Sequence, residues 1–229
     1  MKKIGVIADP HSNLPALKAV LGHMPKVDQI ICVGDLVGYG AEPNEVVETV
    51  KSKDISSVIG NHDHAAVTGK VSSFNPYSAK AALWTGEALT NENREFLENL
   101  PREAKFKKGK WGIYMVHGSP RRPLTEYILP GISNQDLVRL TKEINADVVI
   151  LGHTHVPLER RIMGKLIINP GAVGQPRDRD PRASYMVLKL GRKLDVEHKR
   201  VSYNVEEATQ KIMEAGLPEE LATRLNFGW

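Results

Sequence analysis

Short apolar runs rich in Val and Ile alternate along the chain with stretches whose apolar residues recur at helical spacing. Residues 3–8 (KIGVIA) form a nearly continuous apolar run that stops at Asp9, the pattern of a strand buried on both faces. Residues 14–24 predict a helix with Pro15 in its first turn. A second strand is expected over residues 29–33, ending at Gly34-Asp35, then a helix over 43–51 and a third strand over 55–59 that stops at Gly60-Asn61. This β-α-β-α-β order calls for a parallel sheet covered by helices. A helical insert follows at about residues 76–100, with Ala79, Leu83 and Ala88, then Phe96, Leu97 and Leu100, at helical spacing. Leu83 and Trp84 read as core. Residues 111–116 predict a strand running into His117, residues 133–144 a helix, and residues 148–151 a strand running into Gly152-His153. Hairpins are expected over 158–168, turning near Gly164-Lys165, and over 185–201, turning at Gly191-Arg192. Closing helices are expected over 205–215 and 219–225. No repeat or linker-like stretch interrupts this order, so residues 1–229 read as one domain.

Composition narrows the class. With 41% hydrophobic and 25% charged residues, the chain reads as an ordinary globular domain and not as a disordered one. No run approaches the about 18–20 apolar residues of a membrane helix. The opening MKKIGVIADP is too short in apolar residues for a signal peptide, because Asp9 interrupts it. Cys32 is the sole cysteine, so no intrachain disulfide can form and the cytoplasm is the expected location. The formal charge of +4 is a modest surplus, and the pairs Lys107-Lys108, Arg121-Arg122, Arg160-Arg161 and Lys199-Arg200 form no stripe. They read as solvated surface, not as a nucleic-acid platform, and attraction of a small anionic substrate stays open.

The chemistry lies in polar clusters at or just beyond the predicted strand ends: Asp9-Pro10-His11, Gly34-Asp35, Gly60-Asn61-His62-Asp63, His117-Gly118-Ser119, Gly152-His153-Thr154-His155 and Asn169-Pro170-Gly171. In an open α/β sheet, ligands collect beyond the carboxyl ends of the strands. Each motif alone has a bland explanation: Asp9 a helix cap beside a surface His11, Asp35 a turn residue, His117 a satisfied core histidine. Together they are hard to explain as structure, since five of the eight histidines lie in these clusters. Carboxylate, amide oxygen and imidazole suit Mn, Fe, Zn, Co or Ni better than Ca, which prefers all-oxygen shells. Two such metals a few Å apart would share a hydroxide and clamp a phosphate.

In this order the motifs resemble those of the calcineurin-like metallophosphoesterase superfamily. Its pattern D-x-H, G-D, G-N-H-D/E, H and G-H-x-H is matched by Asp9/His11, Gly34-Asp35, residues 60–63, His117 and residues 152–155. The resemblance runs from Asp9 to about Tyr185. It implies an α/β fold of the four-layer αββα sandwich type, with mixed sheets and flanking helices. It implies that Asp9, His11, Asp35 and His155 hold one divalent metal and that Asp35, Asn61, His117 and His153 hold the other, with Mn the working choice in vitro. His62 would contact the phosphate and protonate the leaving oxygen.

The segments GDLVGYG, GNHDHAA, VHGSP, GHTHVP and INPGAVGQPRDRDPRASY are similar to those of small bacterial and archaeal phosphodiesterases and their diadenosine-tetraphosphate-hydrolase-like relatives. The protein Ser/Thr phosphatase branch reads G-D-x-V-D-R-G where this chain reads GDLVGYG. Gly38 stands where that branch has the Asp that pairs with the catalytic His, and Tyr39 where it has an Arg that grips a monoester dianion. The resemblance therefore implies a nucleotide-like diester or anhydride substrate. A phosphomonoesterase or protein phosphatase is the alternative within the class. A non-catalytic interaction module, as the retromer subunit of this fold serves, is the alternative from another class, and the full ligand set with His62 argues against it.

Substrate contacts are less defined. Arg121 and Arg122 follow the His117 loop, and Arg177, Arg179 and Arg182 follow Asn169-Pro170-Gly171. Either set supplies guanidinium forks for phosphate, or surface salt bridges. Tyr39 either stacks on a base or packs in its loop, and His64 either reaches substrate or only starts a helix. Asp63 is a candidate support for a metal-bound His. His23 and His198 read as structural or surface residues. The insert is either a wall of the site or a contact in a homo-oligomer.

Overall fold

In a computed structural model describing residues 1–229, the first strand shows how one apolar run serves two cores. In β1 (Lys2–Ile7), Ile4 and Val6 point to one face and Ile7 to the other, and all three are fully buried. The chain continues through α1 (Leu14–His23), β2 (Gln29–Cys32), α2 (Pro43–Ser52), β3 (Ser56–Ser57), α3 (Asn61–Thr68), α4 (Pro76–Ala88), α5 (Asn91–Glu98), β4 (Glu103–Lys108) and β5 (Trp111–Val116). It ends with α6 (Asn134–Thr141), β6 (Val148–Ile150), β7 (Leu158–Ile162), β8 (Lys165–Asn169), β9 (Ala183–Leu190), β10 (Leu194–Val201), α7 (Val205–Glu214) and α8 (Glu219–Phe227).

The strands form two five-stranded mixed sheets, ordered β10-β9-β1-β2-β3 and β4-β5-β6-β8-β7. Between them lies a core in which Ile4, Val6, Ile31 and Val33 meet Ile113, Met115, Val148, Ile150 and Ile168. The outer face of the first sheet packs Ile7 and Cys32 against Leu14 and Leu17 of α1 and Val46, Val47 and Val50 of α2. The outer face of the second packs Tyr114, Val149 and Ile167 against Leu137 of α6. Alternate residues of each central strand thus face different layers, giving the order helix, sheet, sheet, helix.

Several features differ from the expectations, among them Leu83, read as core, which is exposed on α4 while Trp84 packs partly buried. The first sheet is not wholly parallel: β1, β2 and β3 are parallel, but the β9–β10 hairpin docks antiparallel on β1. The run at 55–59 yields only the two-residue edge strand β3, while Val58 is taken into the core between the sheets. Two elements were not legible. In β4 (EAKFKK) the edge strand carries lysines, which guard an exposed edge and hide the apolar signal. In α3 the ligand candidate Asn61 is itself the first helical residue, so polar residues fill the first turn. The insert packs inward, Ala81 of α4 sharing a core with Tyr39 and with Leu221 and Leu225 of α8. No helix is long and apolar enough to cross a membrane.

Candidate metal centre and the cavity above it

The carboxyl ends of β1, β2 and β3 in one sheet and β5, β6 and β8 in the other lie along the same edge, and each delivers a loop to it. Asp9, His11, Asp35, His117, His153 and His155 converge there, and all are buried. Their donor atoms fall into two groups, Asp9 with His11, Asp35 and His155, and Asp35 with His117 and His153. Asp35 belongs to both. Asn61 joins the second group, its Oδ1 lying 2.9 Å from His117 Nε2.

Backbone carbonyls aim the imidazoles. His11 Nδ1 lies 3.0 Å from Val37 O, His117 Nδ1 2.8 Å from Val33 O, and His155 Nδ1 2.6 Å from Gln175 O. A carbonyl only accepts, so each Nδ1 carries a proton, and whenever the ring is neutral its Nε2 lone pair faces inward. His11 Nε2 and His155 Nε2 face each other at 3.0 Å. His117 Nε2 faces Asp35 Oδ2 at 3.2 Å, Asn61 Oδ1 at 2.9 Å and His153 Nδ1 at 3.2 Å. Asp9 Oδ2 and Asp35 Oδ2 are buried with no hydrogen-bond donor. Electron pairs converging in a buried space repel unless a cation sits among them. The donor set therefore fits two divalent metals, a candidate dinuclear site with Asp35 between.

The protonation equilibria of the side chains express the same crowding. Burial holds His11 down at about 4 and His153 at about 3, so both rings are neutral at pH 7, as a metal ligand must be. Burial pushes Asp9 up to about 8. Burial also opposes charge on His117, but Asp35 and Asp9 outweigh it and raise the ring to about 9. Burial disfavours the Asp35 anion, yet the His117 and His62 rings hold its carboxyl well below the usual range. A proton on His117 relieves the lone-pair repulsion, and it is the proton a metal would displace.

The backbone is strained where it carries these donor residues. Asp9, His11, Asp35, His153 and His155 sit in the left-handed region, with φ of 53°, 48°, 52°, 68° and 60°. Each such non-glycine residue costs on the order of 1–3 kcal/mol and persists only where its surroundings over-determine it. Here a ladder of backbone bonds does so: Asp9 N to Gly34 O, His11 N to Asp35 O, and Ser12 N to Leu36 O, at 2.9–3.0 Å. Close approach adds a constraint, since a Cβ on Gly60 would lie 2.0 Å from Asp35 Oδ1.

His62, second in α3, is buried with an unpartnered Nδ1. Its ring is packed by Tyr39 at 4.3 Å, Phe74 at 4.7 Å and His11 at 4.9 Å between centroids. Gly38, with φ +88°, lies flat against it, and a Cβ there would come within 2.5 Å of His62 Nδ1. Aromatic packing orients His62, and no side chain can stand at position 38 to pair with it. Burial, reinforced by His11 and Arg177, holds the ring well below the ordinary histidine value against the pull of Asp35.

A cavity of about 660 Å³ opens above the centre, with Asn61, His62 and His153 in its floor. Arg177 lines it, its Nη2 donating to Tyr39 Oη at 3.0 Å and Gln175 Oε1 at 3.1 Å. Tyr39 lines it too, but its ring is packed on the two histidines and its hydroxyl also meets Ser78 Oγ at 3.1 Å.

A profile of the calcineurin-like phosphoesterase superfamily domain matches residues 1–193. The chain belongs to this family. It is 39% identical to an uncharacterised protein of Methanocaldococcus jannaschii, covering 98% of each. It is 29% identical to a probable metallophosphoesterase of Methanothermobacter thermautotrophicus, covering 85% of this chain and 90% of that one. A crystal structure of a metallophosphoesterase from Sphaerobacter thermophilus, 39% identical, superposes with a TM-score of 0.86 over 100% of this chain and 99% of that one.

Within this calcineurin-like fold two sequence expectations fail on geometry. Arg121 is not brought into the cavity: its guanidinium is held by Glu126 on the outer surface, and Arg122 lines the cavity instead. Asp63 does not support a metal-bound histidine. Its oxygens accept from Gly60 N at 2.9 Å and Val37 N at 3.0 Å, capping α3 and tying it to the Asp35 loop. Arg179 and Arg182 also lie outside the cavity lining, Arg182 pairing with Asp180. Asn169 braces the histidine loop through Gly152 O at 2.7 Å and Thr154 Oγ1 at 3.0 Å. Sequence reasoning missed Tyr127, which stacks on His153 at 3.8 Å, and Phe74 beside His62. Both sit in loops without periodicity, so no pattern marked them.

Proposed function

We propose that the chain hydrolyses phosphodiester or phosphoanhydride bonds of a nucleotide-like substrate at this centre, with His62 as the proton donor. The observation that carries the reading is Asp35, common to two buried donor groups under one cavity. Two divalent cations, when bound, supply an activated water and neutralise charge on the phosphoryl oxygens.

The chain's own residues supply position and a proton. His62 Nε2 is the nitrogen left to the cavity, since Nδ1 is sealed. From there it donates to the leaving oxygen, a role worth about 10²–10⁴ in rate. No carboxylate backs this imidazole, because Gly38 leaves no room for one. With its pKa held well below the ordinary value and no paired carboxylate to stabilise the charged form, the imidazolium is a strong acid but a scarce one at pH 7. It suits leaving groups that need little protonation, such as an anhydride phosphate or an aryl oxide. Arg177 adds a positive charge at the cavity wall.

Incubation with Mn²⁺ and a bis-aryl phosphate diester tests the reading, with the matching monoester in parallel. Turnover of the diester faster than the monoester is expected. Absence of turnover with every transition metal defeats the proposal, and a faster monoester replaces it with a phosphomonoesterase.

A further inference from the structure

Five cationic side chains line the cavity, Lys70, Arg102, Arg122, Arg177 and Arg224, and no Asp or Glu does. They come from separate places in the fold. Lys70 follows α3, Arg102 precedes β4, Arg122 lies in the loop after β5, Arg177 in the loop after β8, and Arg224 on α8. The convergence is a property of the fold and not of a local charge run.

None of the five is neutralised. Nearby arginines outside the cavity find carboxylates: Arg121 with Glu126, Arg182 with Asp180, Arg200 with Asp178. Within it, Arg177 donates to the neutral Tyr39 hydroxyl and Gln175 amide oxygen and pairs with no carboxylate. Lys70, Arg102, Arg122 and Arg224 make no side-chain hydrogen bond and no ion pair. With five cations and no carboxylate in its lining, the cavity presents a positive field to an anion.

The attacked phosphoryl group alone does not account for them, because the donor groups beneath already serve it. The charge also extends sideways. Lys70 and Arg102 both bear on His64, which lies one helical turn from Asn61 along α3. A cavity of about 660 Å³ has the size of sites that enclose nucleotide-scale ligands.

We propose that Lys70, Arg102, Arg122 and Arg224 form a polyphosphate subsite, so that the substrate carries further phosphoryl groups in line with the one attacked. The inference rests on the phosphoesterase reading and narrows it to anhydride-bearing substrates. Guanidinium forks match the paired oxygens of such groups, and their unpaired state leaves no internal bond to break on binding.

The test is calorimetric binding of inorganic tripolyphosphate to the whole 229-residue chain stripped of metal, with inorganic phosphate and an unphosphorylated oligothymidylate as comparison ligands. Tripolyphosphate should bind at least about tenfold tighter than phosphate. Arg102→Ala, Arg122→Ala and Arg224→Ala should each weaken it about five- to tenfold, as expected for exposed charge-assisted contacts. Arg139→Ala, on the far helix α6, should leave it unchanged. Equal affinity for the two inorganic ligands, insensitivity to all three cavity variants, or tighter binding of the oligonucleotide overturns the subsite. Diester turnover by the Mn²⁺-loaded wild type is read separately, so failure of the phosphoesterase reading and failure of the subsite give different results.

Discussion

His11 and His155 face each other through Nε2 atoms 3.0 Å apart, while their Nδ1 atoms donate to Val37 O and Gln175 O. The two carbonyls fix both tautomers, so neutral rings present lone pair to lone pair. His11 and His155 would hold a divalent cation there, which would relieve that repulsion. Metal binding and stability are therefore linked. At a free metal concentration of about 100 times Kd, the folded state gains about 2.7 kcal/mol. For a chain of this size that corresponds to a Tm rise of roughly 5–10 °C. Thermal melts with Mn²⁺ and with a chelator measure it, and coincident melts contradict the linkage.

Metal uptake should release protons. His117 is raised to about 9 and Asp9 to about 8, so both carry protons at pH 7 that a metal must displace. The sign follows: apparent affinity rises as pH rises toward about 9 and then levels off. Calorimetry at pH 7 in two buffers of different ionisation enthalpy counts the protons. A heat independent of the buffer contradicts the scheme.

Gly38→Ala should disable His62 while leaving the ligands in place. The new Cβ meets His62 Nδ1 at 2.5 Å, and the φ of +88° disfavours any side chain. The ring must move, with an expected stability loss of about 1–3 kcal/mol and a loss of diester turnover of up to about 10²–10⁴. Metal content should be retained. Wild-type turnover in this variant shows that Gly38 does not set the position of His62.

Asp63→Ala should act on the site through the backbone. It removes the acceptor for Gly60 N and Val37 N, which link the start of α3 to the loop after Asp35. The expected cost is about 1–3 kcal/mol. If Asp63 instead acted on a metal-bound histidine, the melting temperature would hold and only metal affinity would fall.

Much of this site is legible in the sequence because strand ends are. The runs ending at Asp9, Asp35, His117 and His153 have the Val/Ile signature of buried strands, and the residue after each strand has little freedom in where it goes. The layered fold follows less directly. Alternation on β1 and β5 is hidden because both faces are apolar, so the pattern does not say that the two faces meet different layers. The left-handed backbone at five ligand candidates has no sequence signal, since none is glycine. Arg122 and Arg121 are adjacent in sequence, and only the loop's path decides that Glu126 takes one and the cavity the other. Tyr127 and Phe74 reach their histidines from loops whose course depends on long-range packing.

The proposed chemistry requires one carboxylate, Asp35, to serve two metals. Metal stoichiometry by mass spectrometry after Mn²⁺ loading and gel filtration tests this in wild type, Asp35→Ala and His11→Ala. Two ions per chain are expected in the wild type, with loss of both in Asp35→Ala and loss of one in His11→Ala. A single ion in the wild type, or an Asp35→Ala variant that keeps one ion as His11→Ala does, would contradict it.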